Sequence, residues 1–167
     1  MDIFQCAMEK EKLSEDYYRQ LSKKTSNKDL SNILTMLAQE ERKHFYAVRR
    51  MQQQQKPQTK TETNVLDNAR QIFEKMRKPV ENFSFDITEP ELYEKARDIE
   101  KQSMKFYLEK SNEVTDASQK EIFKMLADEE RKHLVLVQGI YDFVVRPQWF
   151  LENAEMYCFD DYAEGVL

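Results

Sequence analysis

Two histidines occur in 167 residues, and both close the same eight-residue phrase. LAQEERKH ends at His44, and LADEERKH ends at His133, 89 positions later. In each phrase a glutamate, Glu41 or Glu130, stands three residues before the histidine, so carboxylate and imidazole share one face of a helix. One such pair on a charged helix is ordinarily a solvated face. Two copies, if they meet, offer mixed oxygen and nitrogen donors that suit iron or manganese better than calcium or magnesium. Glu40 and Glu129 are the rival carboxylates, since Glu40 is i, i+4 to His44. Glu41 is favoured because it keeps the helical stripe running from Leu37.

The phrase belongs to a longer repeat. With an 89-residue offset, residues 4–48 and 93–137 show 16 identities in 45 aligned positions without a gap. Glu11 pairs with Glu100, Tyr18 with Tyr107, Glu41 with Glu130 and His44 with His133. Composition bias in helical sequence produces some identities, but it does not hold register across two helices and a turn. The pattern predicts a duplicated helical hairpin.

The chemistry-bearing residues interrupt core stripes. Phe4, Ala7, Glu11, Ser14 and Tyr18 follow helical spacing, as do Tyr93, Ala96, Glu100, Ser103 and Tyr107. Leu37, Glu41, His44, Val48 and Met51 form a third stripe, and Leu126, Glu130, His133, Val137 and Ile140 a fourth. Glu11 and Glu41 lie equally far from the first turn, and Glu100 and Glu130 equally far from the second. Fifteen residues of helix is about 22 Å, so all four carboxylates sit at one level. Burying them unpaired costs several kcal/mol each and forces protonation. Two divalent cations would neutralise the set.

The elements that must position these residues are helices. The chain has 2 Gly and 4 Pro among 34% charged and 40% hydrophobic residues, a balance that favours helix over loop-rich or sheet structure. Four amphipathic helices are predicted, at about 3–24, 29–54, 90–112 and 117–145. KKTSNKDL and NEVTDASQ supply the turns and N-caps. The crossover, residues 55–89, contains NVLDNARQIFEKMRK, which reads as a short helix across the bundle. Residues 1–146 are thus expected to form the bundle, and 147–167 an aromatic, acidic tail packed on it or on a second subunit. The net charge of −5 argues against nucleic-acid binding. No apolar run spans a membrane, and a cytoplasmic location is expected. Cys6 and Cys158 stand alone with no C-x-x-C.

This arrangement, two hairpins with one long crossover, one Glu from each of two helices and Glu-x-x-His from each of the others, resembles the ferritin-like superfamily and within it the rubrerythrin-like proteins. The resemblance covers both hairpins. It implies an all-α four-helix bundle holding two iron ions, with manganese as an alternative. The implied ligands are Glu11, Glu41, His44, Glu100, Glu130 and His133, with Glu41 and Glu130 bridging and Glu11 and Glu100 terminal and able to shift coordination. Tyr18 and Tyr107 are core aromatics whose hydroxyls stand within reach of a ligand carboxylate.

The implied activity is a di-iron oxidoreductase reducing hydrogen peroxide or oxygen, in oxidative-stress defence. A homodimer is expected, and electrons would come from a separate donor such as a rubredoxin, because the rubredoxin-type domain of full-length relatives is missing. The family's seventh carboxylate is also missing: Ser103 stands one turn past Glu100, and Glu15, one turn past Glu11, is the substitute to consider. Alternatives from other classes are a ferroxidase serving iron storage or delivery, and a metal-free helical interaction module.

Overall fold

The computed structural model describes residues 2–54, 64–77 and 90–153. Six helices make up the described chain: α1 (Ile3–Lys24), α2 (Lys28–Gln52), α3 (Val65–Arg77), α4 (Pro90–Glu113), α5 (Ala117–Val145) and α6 (Pro147–Glu152). The expected bounds hold to within a residue or two. The remainder of the crossover and the tail beyond Asn153 lie outside the described residues.

Local chemistry sets the helix ends. Asn27 caps α2 by accepting from the Leu30 amide at 2.8 Å, and Asp116 caps α5 by accepting from the Gln119 amide at 2.9 Å. These two caps occupy the same place in each half of the duplication. Pro90 and Pro147 open α4 and α6, where the missing amide proton has no helical partner to lose. Lys23 and Lys24 close α1 and Arg49 and Arg50 close α2, favourable against the negative end of the helix dipole. α2 stops at Gln52, and Gln54 takes a left-handed φ of 53°.

Backbone contact is dense within each hairpin, α1 with α2 and α4 with α5, and sparse between hairpins. The Tyr17 hydroxyl donates to the Leu92 carbonyl at 2.7 Å, while Lys10 sits over the Phe106 ring. Early α1 therefore meets late α4, and the two helices run antiparallel. It follows that α2 and α4 point the same way, with α3 between them in the chain. The fold is a ferritin-like four-helix bundle of two hairpins joined by a long crossover.

The core has two layers. One contains Tyr18, Ile33, Leu37, Ala96, Leu136 and Ile140 and extends to α3 and α6. The other contains Ala7, Val48, Tyr107, Phe123 and Leu126. Between them, at the level predicted from the repeat, lie Glu11, Glu41, Glu100 and Glu130 with both histidines, all at most 1% exposed. The start of the tail packs on the bundle: Phe150 rests against Phe73 of α3 and Phe143 of α5, with ring centroids 5.1 and 5.8 Å away. Replacing it removes a fully buried ring from this triad. Phe150→Ala is expected to lower stability by about 3 kcal/mol, read by urea denaturation. A loss below about 1 kcal/mol would show that α6 does not share the cooperative core.

Candidate metal centre

α1 and α4 each contribute one glutamate to the polar level, and α2 and α5 each contribute a glutamate and a histidine. All six residues singled out in the sequence converge. His44 Nδ1 lies 2.9 Å from Glu130 Oε1 and 3.4 Å from Glu11 Oε2. In the other half, His133 Nδ1 lies 2.8 Å from Glu41 Oε1 and 3.7 Å from Glu100 Oε2. The imidazoles stack, with centroids 5.2 Å apart and planes 14° from parallel. Donor atoms from Glu41, His44, Glu130 and His133 all fall within 4.8 Å of one another.

Proximity has not produced a satisfied hydrogen-bond network. Both oxygens of Glu41, one oxygen each of Glu11, Glu100 and Glu130, and His133 Nδ1 are buried without an aligned hydrogen-bond partner. The 2.8 Å contact of His133 with Glu41 is thus a charge contact lacking hydrogen-bond alignment. Buried polar atoms are rarely left this way unless an ion or water is their partner. Carboxylate oxygens and imidazole nitrogens converging on one dry level fit a pair of divalent transition metals.

The tyrosines bind across the hairpins. Tyr18 of α1 donates to Glu100 Oε1 of α4, and Tyr107 of α4 donates to Glu11 Oε1 of α1. The sequence suggested a ligand carboxylate as the partner but not which one. Antiparallel packing of α1 on α4 decides it, because each tyrosine, two turns past its own glutamate, is carried alongside the other hairpin. Both hydroxyls are fully buried, and burial followed by the nearby carboxylates raises their pKa well above 10, so they remain donors.

Electrostatics without metal are those of crowded acids. Burial, then the neighbouring carboxylates, raises Glu41 and Glu130 well above the usual carboxylate range. Burial would raise Glu100 too, but His133 beside it outweighs that and lowers it. Burial alone would depress His44, yet Glu11 and then Glu41 lift it to about 9, and Glu100 does the same for His133 in direction. Protons thus hold the place of cations.

Each rival acid has an ion-pair partner on its own helix, although Glu129 Oε2 is buried without a hydrogen-bond partner. Glu40 pairs with Lys43 at 2.7 Å, Glu129 with Lys132 at 2.8 Å, and Glu15 with Arg19 at 2.7 Å. All three are nonetheless buried, a feature the spacing argument did not anticipate. Ser14 and Ser103 are small buried positions beside Glu11 and Glu100.

The rubrerythrin family profile matches residues 2–141. The chain belongs to the rubrerythrin family. A solved structure described as a hypothetical protein from Pyrococcus furiosus shares the fold: it is 21% identical, with a TM-score of 0.65 over 89% of this chain and 90% of that one. No curated protein matches the chain. No helix among the described residues of this rubrerythrin-family chain is long and apolar enough to cross a membrane.

The raised pKa values carry a consequence for stability. Groups whose folded pKa lies above the unfolded value stabilise the metal-free fold fully below the unfolded pKa, and that contribution is lost as pH rises through the folded one. For His44 the loss runs from its ordinary 6.5 through about 9, and Glu41 and Glu130 act in the same direction from the carboxylate range upward. Metal must displace these protons, which becomes easier at higher pH. Adding ferrous or manganous ion is therefore expected to raise Tm more at pH 8 than at pH 5. An equal rise at both pH values would contradict buried ligand carboxylates.

Proposed function

We propose that this protein is a di-iron oxidoreductase that reduces hydrogen peroxide or oxygen. The observation that carries the reading is the set of buried, unpartnered carboxylate oxygens converging with two imidazoles in a rubrerythrin-family bundle. Glu11, Glu41, His44, Glu100, Glu130 and His133 would hold the metals. When bound, an iron pair supplies two electrons to the oxidant and is reduced again by a separate donor protein, rubredoxin being one such donor.

The chain's own residues set the conditions for that chemistry. Tyr18 and Tyr107 each hold one terminal carboxylate by a hydrogen bond to a single oxygen, Oε1. The second oxygens, Glu11 Oε2 and Glu100 Oε2, keep no aligned partner and are left to engage a cation or to swing away from it. The apolar layers above and below exclude bulk water, strengthening every charge interaction at this level. Manganese satisfies the same donor set, so metal content is measured before reactivity.

Six ligands imply about two metal ions per chain, as in other two-metal sites. Elemental analysis after anaerobic iron loading is expected to give that ratio, and one ion or none would sink the assignment. His44→Ala and His133→Ala should each reduce iron retention markedly, whereas Glu40→Gln, in the lysine-paired position, should do much less. A large Glu40→Gln effect beside a silent Glu41→Gln would show that the wrong member of each Glu-Glu pair carries the role.

Ser103 governs the second expectation. A hydroxyl at this position cannot reach in as an anionic ligand, and Glu15 is tied to Arg19. With no further carboxylate within reach, His44 and His133 would remain the nitrogen donors in both oxidation states, and the preference for peroxide over oxygen is expected to be modest. Stopped-flow oxidation of the iron-loaded, reduced protein by each oxidant measures it. A thousandfold advantage for peroxide, about 4 kcal/mol in the barrier, would contradict this account of Ser103.

A further inference from the structure

A groove of about 310 Å³ runs along the outside of the bundle between α1 and α4. Ser14 and Ser103 form its floor, at 2% and 4% exposure, while Leu13 stands on its rim at 70%. Each serine is one turn along its helix from Glu11 or Glu100, so the floor of the groove is the back wall of the carboxylate cluster.

The volume exceeds what peroxide or oxygen needs. A water-sized molecule occupies about 30 Å³, whereas pockets for small organic ligands begin near 300 Å³. Leu13, Ile99 and Tyr17 line its sides together with the polar Gln102, so the lining is largely apolar. Two lysines line it as well: Lys95 Nζ lies 5.3 Å over the Tyr17 ring, and Lys10 Nζ lies 5.3 Å over the Phe106 ring. Neither ammonium forms an ion pair with a carboxylate among the described residues, unlike Lys12, Lys43, Lys110 and Lys132.

The internal repeat sharpens the point. The floor is the same in both halves, Ser14 matching Ser103, but the rim is not. Leu13 matches Gln102, Lys10 matches Ile99, and Lys95 matches Cys6. Symmetric requirements of the metal level account for the floor. They do not account for a largely apolar rim that carries two lysines.

We propose that this groove binds an amphipathic organic hydroperoxide bearing a carboxylate. Its apolar body lies along Leu13 and Ile99, its carboxylate pairs with Lys10 or Lys95, and its hydroperoxide group faces the gap between Ser14 and Ser103. The reaction would break the O–O bond: the hydroperoxide takes two electrons and two protons and leaves as the alcohol and water. The electrons come from the separate one-electron donor protein by way of the buried site, and the protons come from solvent. The proposal rests on the peroxide-reducing reading above.

The test separates the two. Binding of the inert alcohol of para-carboxycumene hydroperoxide to the metal-free full-length protein is followed by calorimetry and by amide NMR shifts. Saturable binding that shifts the Ser14 and Ser103 amides is expected. Leu13→Asp, at an exposed position that the fold tolerates, should weaken it about tenfold, and the Lys10→Glu, Lys95→Glu double variant by a similar factor, through lost apolar contact and reversed charge. In the iron-loaded protein, Leu13→Asp should raise KM for the hydroperoxide about tenfold and raise KM for hydrogen peroxide far less. Turnover of hydrogen peroxide without groove binding of the alcohol would overturn the groove proposal and leave the peroxide-reducing reading standing. Binding indifferent to Leu13→Asp and to the lysine pair would also overturn it. Groove binding in a protein that, iron-loaded, reduces neither peroxide would remove the peroxide-reducing reading and the hydroperoxide assignment with it.

Discussion

Four carboxylates share one dry level of this bundle, and most of the structure answers to that fact. An unpaired carboxylate taken from water costs several kcal/mol, and four together repel one another as well. The fold therefore has to surround them with positive charge, hydrogen-bond donors or protons. It supplies two imidazoles 5.2 Å apart at their centres and two tyrosine hydroxyls. Even so, several carboxylate oxygens stay without an aligned partner. A core arranged only for stability would place hydrophobic groups here, since well-packed apolar residues of similar volume are often neutral or stabilising in place of buried ions.

The strength to bear this comes from the layers on either side. Tyr18, Ile33, Leu37 and Ile140 close one side and Tyr107, Phe123, Leu126 and Val48 the other, so the polar residues do not have to hold the helices together themselves. The two tyrosines belong to both worlds, with rings in the apolar layers and hydroxyls on the carboxylates. Because each joins α1 to α4, they also tie together two hairpins whose backbones approach sparsely. The layer containing Ile33 and Ile140 is extended by α3 and α6, where Phe73, Phe143 and Phe150 meet. That end is the more heavily built of the two.

The outer surface of α1 and α4 differs from the interior in how far the duplication has been kept. Inside, Glu11, Ser14 and Tyr18 match Glu100, Ser103 and Tyr107 by type and by place. Outside, the matched positions have parted: Lys10 against Ile99, Leu13 against Gln102. Symmetry is retained around the carboxylates and broken at these groove positions, though exposed Lys12 still matches exposed Lys101.

The sequence by itself determined the fold class, the hairpin duplication and the level at which the six side chains would meet. It could do so because helical rise is fixed at 1.5 Å per residue and side-chain direction repeats every 3.6 residues, so equal counts from a turn become equal depths. It also distinguished Glu41 from Glu40 by stripe spacing, while Glu40 and Glu129 each pair with a lysine on their own helix. Three things were settled only by tertiary structure. The partner of each tyrosine depends on α1 and α4 lying side by side and antiparallel, which no count along one helix reveals. The burial of Glu15, Glu40 and Glu129 depends on how closely flanking helices approach. The groove above Ser14 and Ser103 exists only between two helices far apart in the chain. Spacing within a helix is local geometry and can be read from residue types, whereas contact between helices is decided by how whole faces pack.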